Sequence, residues 1–303
     1  MKKVLLTGAT GFVGQSCLPL LLAKGFEVHA VSLNRRLHNN SDVSWYQVDL
    51  LQSEQAADLV SRVKPTHLLH FAWDAIIPGK VWDSVDNFRW VQASLNLLRA
   101  FSLEGGQRAV LAGTCAEYEW NYGYCSEVFS PLRPKSTYGI CKHSLQILFD
   151  SFAKQTGLSG AWGRMFFLYG PNEHPDRLIP LFIRALLRRE PARCLHGDQI
   201  RDYLYVQDAA NAFVTLLESS VSGPVNIASG CPVTLKDIIY KIADKLNGRD
   251  LVQFNSTSIG GDGARFIVAD VQRLTQELGW QREHDLDQGL EKTISWWKSH
   301  VSI

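Results

Sequence analysis

Tyr138 and Lys142 stand four residues apart in the segment Tyr138-Gly139-Ile140-Cys141-Lys142. On a helix, side chains at i and i+4 share one face, so the phenol and the ammonium would lie side by side. A neighbouring cation favours the phenolate and lowers a tyrosine from its ordinary pKa of about 10. Such a phenol exchanges a proton with a carbonyl or an alcohol near neutral pH. The same lysine is placed to hold ribose hydroxyls. An exposed amphipathic helix start produces the same spacing, so the pair alone decides little. Thr114 adds to it. It follows the apolar run Ala109-Val110-Leu111-Ala112-Gly113, which sets its hydroxyl at the carboxyl end of a strand, within reach of the oxygen that Tyr138 would protonate. A threonine that merely caps the next turn is the competing assignment.

A second constellation opens the chain. Thr7-Gly8-Ala9-Thr10-Gly11-Phe12-Val13-Gly14 follows the apolar run Val4-Leu5-Leu6. Gly8 permits a sharp exit from a strand, Gly11 lets the backbone approach a phosphate, and Gly14 allows close packing of helix on strand. The amides and the positive end of the following helix then form an anion site suited to a dinucleotide pyrophosphate. The second strand should end beside the adenosine ribose, where an acidic residue would suit NAD. This chain has Leu33-Asn34-Arg35-Arg36 there. Two guanidinium groups suit the extra 2′-phosphate of NADP, and a solvated basic turn is the alternative. Asp49-Leu50 closes the third strand. Its carboxylate could accept from the adenine amino group or serve as an ordinary turn aspartate.

These residues need a frame, and the periodicity supplies one. Short apolar runs alternate with helical patterns through the first half, the mark of a parallel sheet covered on both faces. The pattern predicts strands over 3–6, 27–33, 43–48, 67–71, 109–112 and 160–166, with helices over 12–24, 53–63, 84–101 and 137–154 between them. Pro19 falls inside the first helix, where a lost hydrogen bond costs ~3 kcal/mol and predicts a kink. Beyond Phe166 come a turn-rich loop over 169–175, a helix over 178–188, a strand over 200–206, a helix over 235–246 capped by Thr234, and a helix over 288–298. A ligand cleft is expected between the two regions, at the carboxyl ends of the strands.

Composition excludes other classes. The 303 residues are 46% hydrophobic and 20% charged with a net charge of +1, which leaves no footprint for nucleic acid. The six cysteines have no paired metal-ligand spacing and read as free thiols of a reducing compartment. No apolar run approaches the roughly 20 residues of a membrane span, and Lys2-Lys3 leads straight into a strand too short for a signal peptide. A cytoplasmic protein without metal or membrane partner is expected. His70 and His196 lack ligand partners at suitable spacing and default to structural roles.

With these motifs assembled, the chain resembles the extended short-chain dehydrogenase/reductase family, in its nucleotide-sugar-modifying branch. The resemblance covers nearly the whole length. It rests on Thr7–Gly14, Asp49-Leu50, His70-Phe71-Ala72, Thr114, Tyr138 with Lys142, Arg164 with Tyr169-Gly170-Pro171, and Arg201-Asp202-Tyr203. It implies an α/β fold: a Rossmann-type doubly wound parallel sheet over 1–166, with 200–227 folding back onto it, and a smaller interleaved region over 167–303 that takes a nucleoside-diphosphate sugar. It implies Thr114, Tyr138 and Lys142 as the catalytic trio. It further implies cofactor contacts from Gly8, Thr10, Gly11, Phe12, Val13, Gly14, Asn34, Arg35, Arg36, Asp49, Leu50, Phe71 and Ala72, joined by Tyr138 and Lys142. Substrate contacts would come from Thr114, Phe167 and Arg201, the last gripping the diphosphate. Members often pair as homodimers through the helices here placed over 84–101 and 137–154, although Leu145, Ile147 and Leu148 would serve equally as core.

Departures from the family pattern bear on the reaction. Sugar dehydratases of the family carry Asp-Glu directly after the threonine, whereas this chain has Cys115 and Ala116, neither of them a carboxylic acid. Glu117-Tyr118 resembles the Glu-Tyr of some 4-keto-6-deoxy-sugar reductases. Phe167 and Trp90 stand where asparagine is frequent, which remodels the sugar site. The expected activity is NADPH-dependent reduction of a nucleotide-linked 4-keto-6-deoxy sugar in deoxysugar and surface-polysaccharide biosynthesis. NAD-dependent 4-epimerisation is the first alternative and a non-catalytic NADP sensor the second. Trp73, Trp82 and Trp90 would stack on the ligand or fill core.

Overall fold

The computed structural model describes residues 2–34, 42–74, 79–254 and 264–300. Seven strands form one parallel sheet in the order β11-β7-β5-β4-β1-β2-β3. They are β1 (Lys3–Thr7), β2 (Glu27–Ser32), β3 (Val43–Gln47), β4 (His67–His70), β5 (Arg108–Thr114), β7 (Ser159–Met165) and β11 (Gly223–Ile227). Their apolar sequences follow from position, since every residue of the central β5 is buried and a strand covered on both faces has no side left for water. Helices α2 (Ser53–Val63), α3 (Asp86–Leu103) and α4 (Thr137–Thr156) cover one face, while α1 (Gly14–Ala23) and α6 (Val206–Glu218) cover the other. Ser136 caps α4 by accepting from the Gly139 amide, and Gly157 ends it in the left-handed conformation.

The smaller sheet is assembled from pieces that the alternation does not reveal. Its core is β10 (Ile200–Tyr205), flanked by β12 (Pro232–Thr234), β14 (Phe266–Ala269) and β8 (Phe167–Tyr169), with β6 (Tyr124–Cys125) beyond β14. Strand β9 (Ala192–Cys194) pairs separately with β13 (Val252–Phe254). Helices α5 (Leu178–Leu187), α7 (Leu235–Lys245) and α8 (Leu286–His300) pack around this region.

Two expectations change. The strand over 160–166 breaks at Phe166, so that β7 stays in the large sheet and β8 crosses to β10. The stretch over 200–227 divides likewise: β10 joins the small sheet, whereas α6 and β11 return to the large one. Arg108 ties that return down, donating to the carbonyls of Leu216 at 2.7 Å and Val221 at 2.6 Å. Pro19 lies inside helix α1, as expected. On α4, Leu145 is core at 1% exposure, whereas Ile147 and Leu148 are exposed. Among the described residues, no helix is long and apolar enough to cross a membrane.

Candidate active site

The glycine turn is held by backbone contacts. Gly8 lies at φ +66°, and a Cβ there would sit 2.8 Å from the Ala72 nitrogen and 2.9 Å from the Phe71 carbonyl carbon. A Cβ on Gly14 would run into the Gly8 carbonyl. The turn therefore folds only without side chains at these positions. Helix α1 starts with no side-chain cap and no acidic residue in its first turn, so its positive end is left free of protein charge. A pyrophosphate fits such a cradle. Val13 and Phe12 pack into the core below it. Thr10 reaches across to β2, its hydroxyl 3.4 Å from that of Ser32, which donates to the Asn34 carbonyl at 2.8 Å. The Ala72 amide donates to the Thr7 hydroxyl at 3.3 Å, fixing the Phe71-Ala72 edge beside Gly8. Asp49 turns the chain after β3 by accepting from the Leu51 amide, with Leu50 buried beside it. Arg35 and Arg36 lie outside the described residues.

Thr114, Tyr138 and Lys142 meet at the carboxyl end of β5. Thr114 ends that strand. It caps the turn Cys115–Glu117, accepting from the Ala116 amide at 3.2 Å, and its side chain lies beside the Tyr138 phenol. The Tyr138 amide donates to the Trp82 carbonyl at 2.9 Å, and the rings of Trp73 and Trp82 meet the phenol edge-on at 6.2 and 5.8 Å. Trp90 stacks on Trp73, whose indole nitrogen donates to Asn87. Trp73 and Trp82 thus wall the phenol, Trp73 also the lysine, and Trp90 backs Trp73.

The electrostatics correct one expectation. The Tyr138 phenol is raised and not lowered, and the Lys142 ammonium is engaged by other groups. The ammonium donates to the Ala112 carbonyl at 2.8 Å and lies 3.8 Å above the Trp73 ring, because a buried cation goes to the strongest acceptor and the most negative aromatic face within reach. Burial pushes Lys142 down to about 7, with the Glu117 charge opposing. Burial pushes the Tyr138 phenol up, with the Thr114 side chain opposing, and keeps it in its protonated form. His70 is a neutral link, bonded to Thr7 at 2.7 Å and Ser94 at 2.9 Å, and burial and Lys142 hold it down to about 3.

On the facing sheet, Arg201 is 7% exposed. It does not pair with Asp202, whose carboxylate accepts from the amides of Ser229, Gly230 and Ala269. Its guanidinium bonds the Ile200 carbonyl and Gln199 and lies 5.4 Å over the Phe167 ring. Phe167 packs on Tyr203 at 5.7 Å.

Two acidic groups have surroundings that the sequence did not reveal, Glu173 in the loop over 169–175 and Glu117, known there only from its resemblance to the Glu-Tyr of some reductases. Glu173 is 9% exposed, and its Oε2 has no hydrogen-bond partner. Burial pushes it up to about 8, tempered by Arg177, whose charge also reaches Tyr203 and Tyr138. Glu117 is fully buried below Thr114. Neither had a spacing signal, since both face the site from irregular turns. Asp208, Glu283 and His284 approach one another within 4.8 Å, but Asp208 is occupied by the Glu283 and His284 amides and the His284 ring.

Comparison with known proteins identifies the family. The sequence profile of the "NAD dependent epimerase/dehydratase family" matches residues 4–228. The chain is 25% identical to a UDP-glucuronate 4-epimerase from Thermodesulfobacterium geofontis, over 99% of this chain and 97% of that protein. It is also 25% identical to a dTDP-4-dehydro-6-deoxyglucose reductase from Escherichia coli, over 96% of each. Among solved structures, the Thermus thermophilus UDP-glucose 4-epimerase in complex with NAD superimposes with a TM-score of 0.86 at 26% identity, covering 99% of this chain and all of the other. The chain belongs to the NAD-dependent epimerase/dehydratase family of extended short-chain dehydrogenases/reductases, nicotinamide-dependent enzymes that modify nucleotide-linked sugars.

Proposed function

We propose that this chain reduces a nucleoside-diphosphate-linked 4-keto-6-deoxy sugar with NADPH. The observation that carries the reading is the site at the end of β5. There the Tyr138 phenol lies beside Thr114 and burial holds it protonated, and the two positions after Thr114 are a buried thiol and a methyl group. Burial pushes the Cys115 thiol up, which leaves it inert as a base. A protonated phenol with no carboxylic acid at the two positions after Thr114 suits proton delivery to a carbonyl oxygen better than elimination of water.

The bound cofactor, when reduced, supplies a hydride to the carbonyl carbon. Thr114 donates to the carbonyl oxygen and holds it against Tyr138, which releases its proton to that oxygen. Lys142 orients the nicotinamide ribose and replaces the lost proton. Arg201 holds the diphosphate, and Phe167 gives the sugar an apolar wall. The glycine turn, Thr10, Asn34, Asp49 and the Phe71-Ala72 edge hold the dinucleotide. Arg35 and Arg36 select its 2′-phosphate. The region over 167–303 supplies the nucleotide-sugar side, and two copies pair through Val85 at the start of α3 and Phe88 on it with Ile140, Ile147 and Leu148 on α4, all exposed. A cytoplasmic location accords with a substrate of this kind.

The test follows NADPH absorbance with a panel of nucleotide 4-keto-6-deoxy sugars. Tyr138→Phe should lower kcat at least ~100-fold and leave NADPH binding intact. Near-normal NADPH oxidation by that variant would sink the reading. The equal identity to a 4-epimerase supports a second reading, which the same assay separates: epimerised product without net loss of NADPH.

A further inference from the structure

Glu117 follows Thr114 by three residues and is fully buried together with Arg164. Its Oε1 accepts from the Thr114 amide at 2.8 Å and from the Trp162 indole at 2.9 Å, while its Oε2 accepts from Arg164 Nε at 2.8 Å. Trp162 and Arg164 stand two apart on β7 and so face the same side. A side chain on Gly113 would overlap Trp162 and come 2.6 Å from Glu117 Oε1, so the strand is bare where the carboxylate passes. Arg164 continues the network to the Tyr118 hydroxyl at 3.2 Å, which donates to Asn226 on β11 at 2.8 Å.

A buried ion pair adds little stability over apolar residues of equal size. This one meets the backbone of Thr114, and the Glu117 charge acts on both Tyr138 and Lys142. We propose that Glu117 is a positioning residue of the reaction: it fixes the Thr114 amide so that the hydroxyl faces Tyr138, and its carboxylate charge acts on Lys142. The inference rests on reading Thr114, Tyr138 and Lys142 as the catalytic trio. Lys142 is faced by His70 from β4, Trp73 beyond it, the Ala112 carbonyl from β5, and Glu117. Glu117 is faced by Arg164 and Trp162 from β7, by Tyr138, Lys142, His143 and Asp150 from α4, and by Cys115 and Tyr118 of its own turn.

Glu117→Gln keeps an acceptor for the Thr114 amide and removes the charge. Because that charge raises Lys142, its loss makes the ammonium give up its proton at lower pH. Two readouts apply: the pH profile of kcat and KM, and the Lys142 Nζ titration by NMR in lysine-labelled protein, assigned with Lys142→Arg. The expected result is a kcat reduced ~10- to 100-fold at pH 7.5 with KM little changed, an alkaline limb moved to lower pH, and the same displacement of Lys142. Glu117→Gln/Arg164→Gln leaves no unpaired charge and should move both readouts likewise if the single variant does not fold. A folded variant of either kind with an unmoved profile and titration overturns the inference. A displaced Lys142 titration in a protein that reduces none of the keto-sugars sustains the Glu117–Lys142 coupling and refutes the proposed reaction instead.

Discussion

The cofactor turn and the small sheet opposite it are built by contrary means. Around Gly8–Gly14 the shape is set by absent side chains, with carbonyls and amides in contact where a Cβ would otherwise stand. Around β8 and β10 the shape is set by side chains themselves: Arg201 over Phe167, Phe167 on Tyr203, and Glu173 buried nearby. A backbone grip has one workable geometry and tolerates no added atom. A side-chain wall can be changed one residue at a time without moving the strand beneath it. Changes to the first should abolish binding outright, and changes to the second should redirect or weaken it.

The hardest test of that contrast is Gly14→Ala. The new methyl meets the Gly8 carbonyl, so either the turn or α1 must shift. NADPH affinity by calorimetric titration should fall more than ~100-fold, with ~1–3 kcal/mol of stability lost. An alanine variant that binds NADPH normally would show that the turn is less constrained than its contacts imply. On the other side, Arg201→Gln should raise KM for the nucleotide sugar ~10- to 100-fold, the scale of hydrogen bonds to a charged group. NADPH affinity should be unmoved. A joint loss of both affinities would mean that Arg201 supports the fold and not the substrate.

The same contrast explains what could be read from the chain. The large sheet was legible because buried parallel strands are apolar throughout and their helices are periodic, so every strand of its first half could be placed. The glycine turn was legible because glycine spacing is the physical requirement itself. The small sheet was not, since β8, β12 and β14 have three or four residues each and take their pairing from segments far away in sequence. Thr114, Tyr138 and Lys142 could be named from their place on elements, yet not their electrostatics. Spacing on α4 puts Tyr138 and Lys142 on one face, but it contains nothing of Ala112 or Trp73, which draw the ammonium aside. Glu117 and Glu173 lie in turns, where no period announces which way a side chain faces.

Glu173 offers a subtler test, read on stability. Its carboxyl is raised from 4.5 to about 8 in the folded protein, so between those values the folded state binds a proton that the unfolded state has lost. Stability from this group is complete below about pH 4.5 and declines as pH rises towards 8. Thermal unfolding from pH 5 to 8 should show Tm falling by a few degrees, on the order expected for 1 kcal/mol or more in a chain this size. Glu173→Gln, which carries no titrating proton, should flatten that part of the slope. An identical slope in the variant would place the titration elsewhere.

The smallest effect is expected at Phe167, where the side-chain wall should prove exchangeable. Phe167→Asn removes the ring contact with Tyr203 and the aromatic face beneath Arg201, each worth about 0.5–1 kcal/mol. The backbone pairing of β8 with β10 through Phe167 and Tyr203 remains, because it uses no side-chain atom. Tm should therefore fall by a few degrees at most, and NADPH affinity should not move. The amide, however, brings a donor and an acceptor to a wall that had neither, and should favour sugars with a hydroxyl or amino group at that position over deoxy sugars. The relative kcat/KM of two such substrates should shift by less than ~tenfold, the scale of one net hydrogen bond. Loss of cofactor binding in this variant would break the contrast, since the two sides would then be mechanically coupled through β8 and β7.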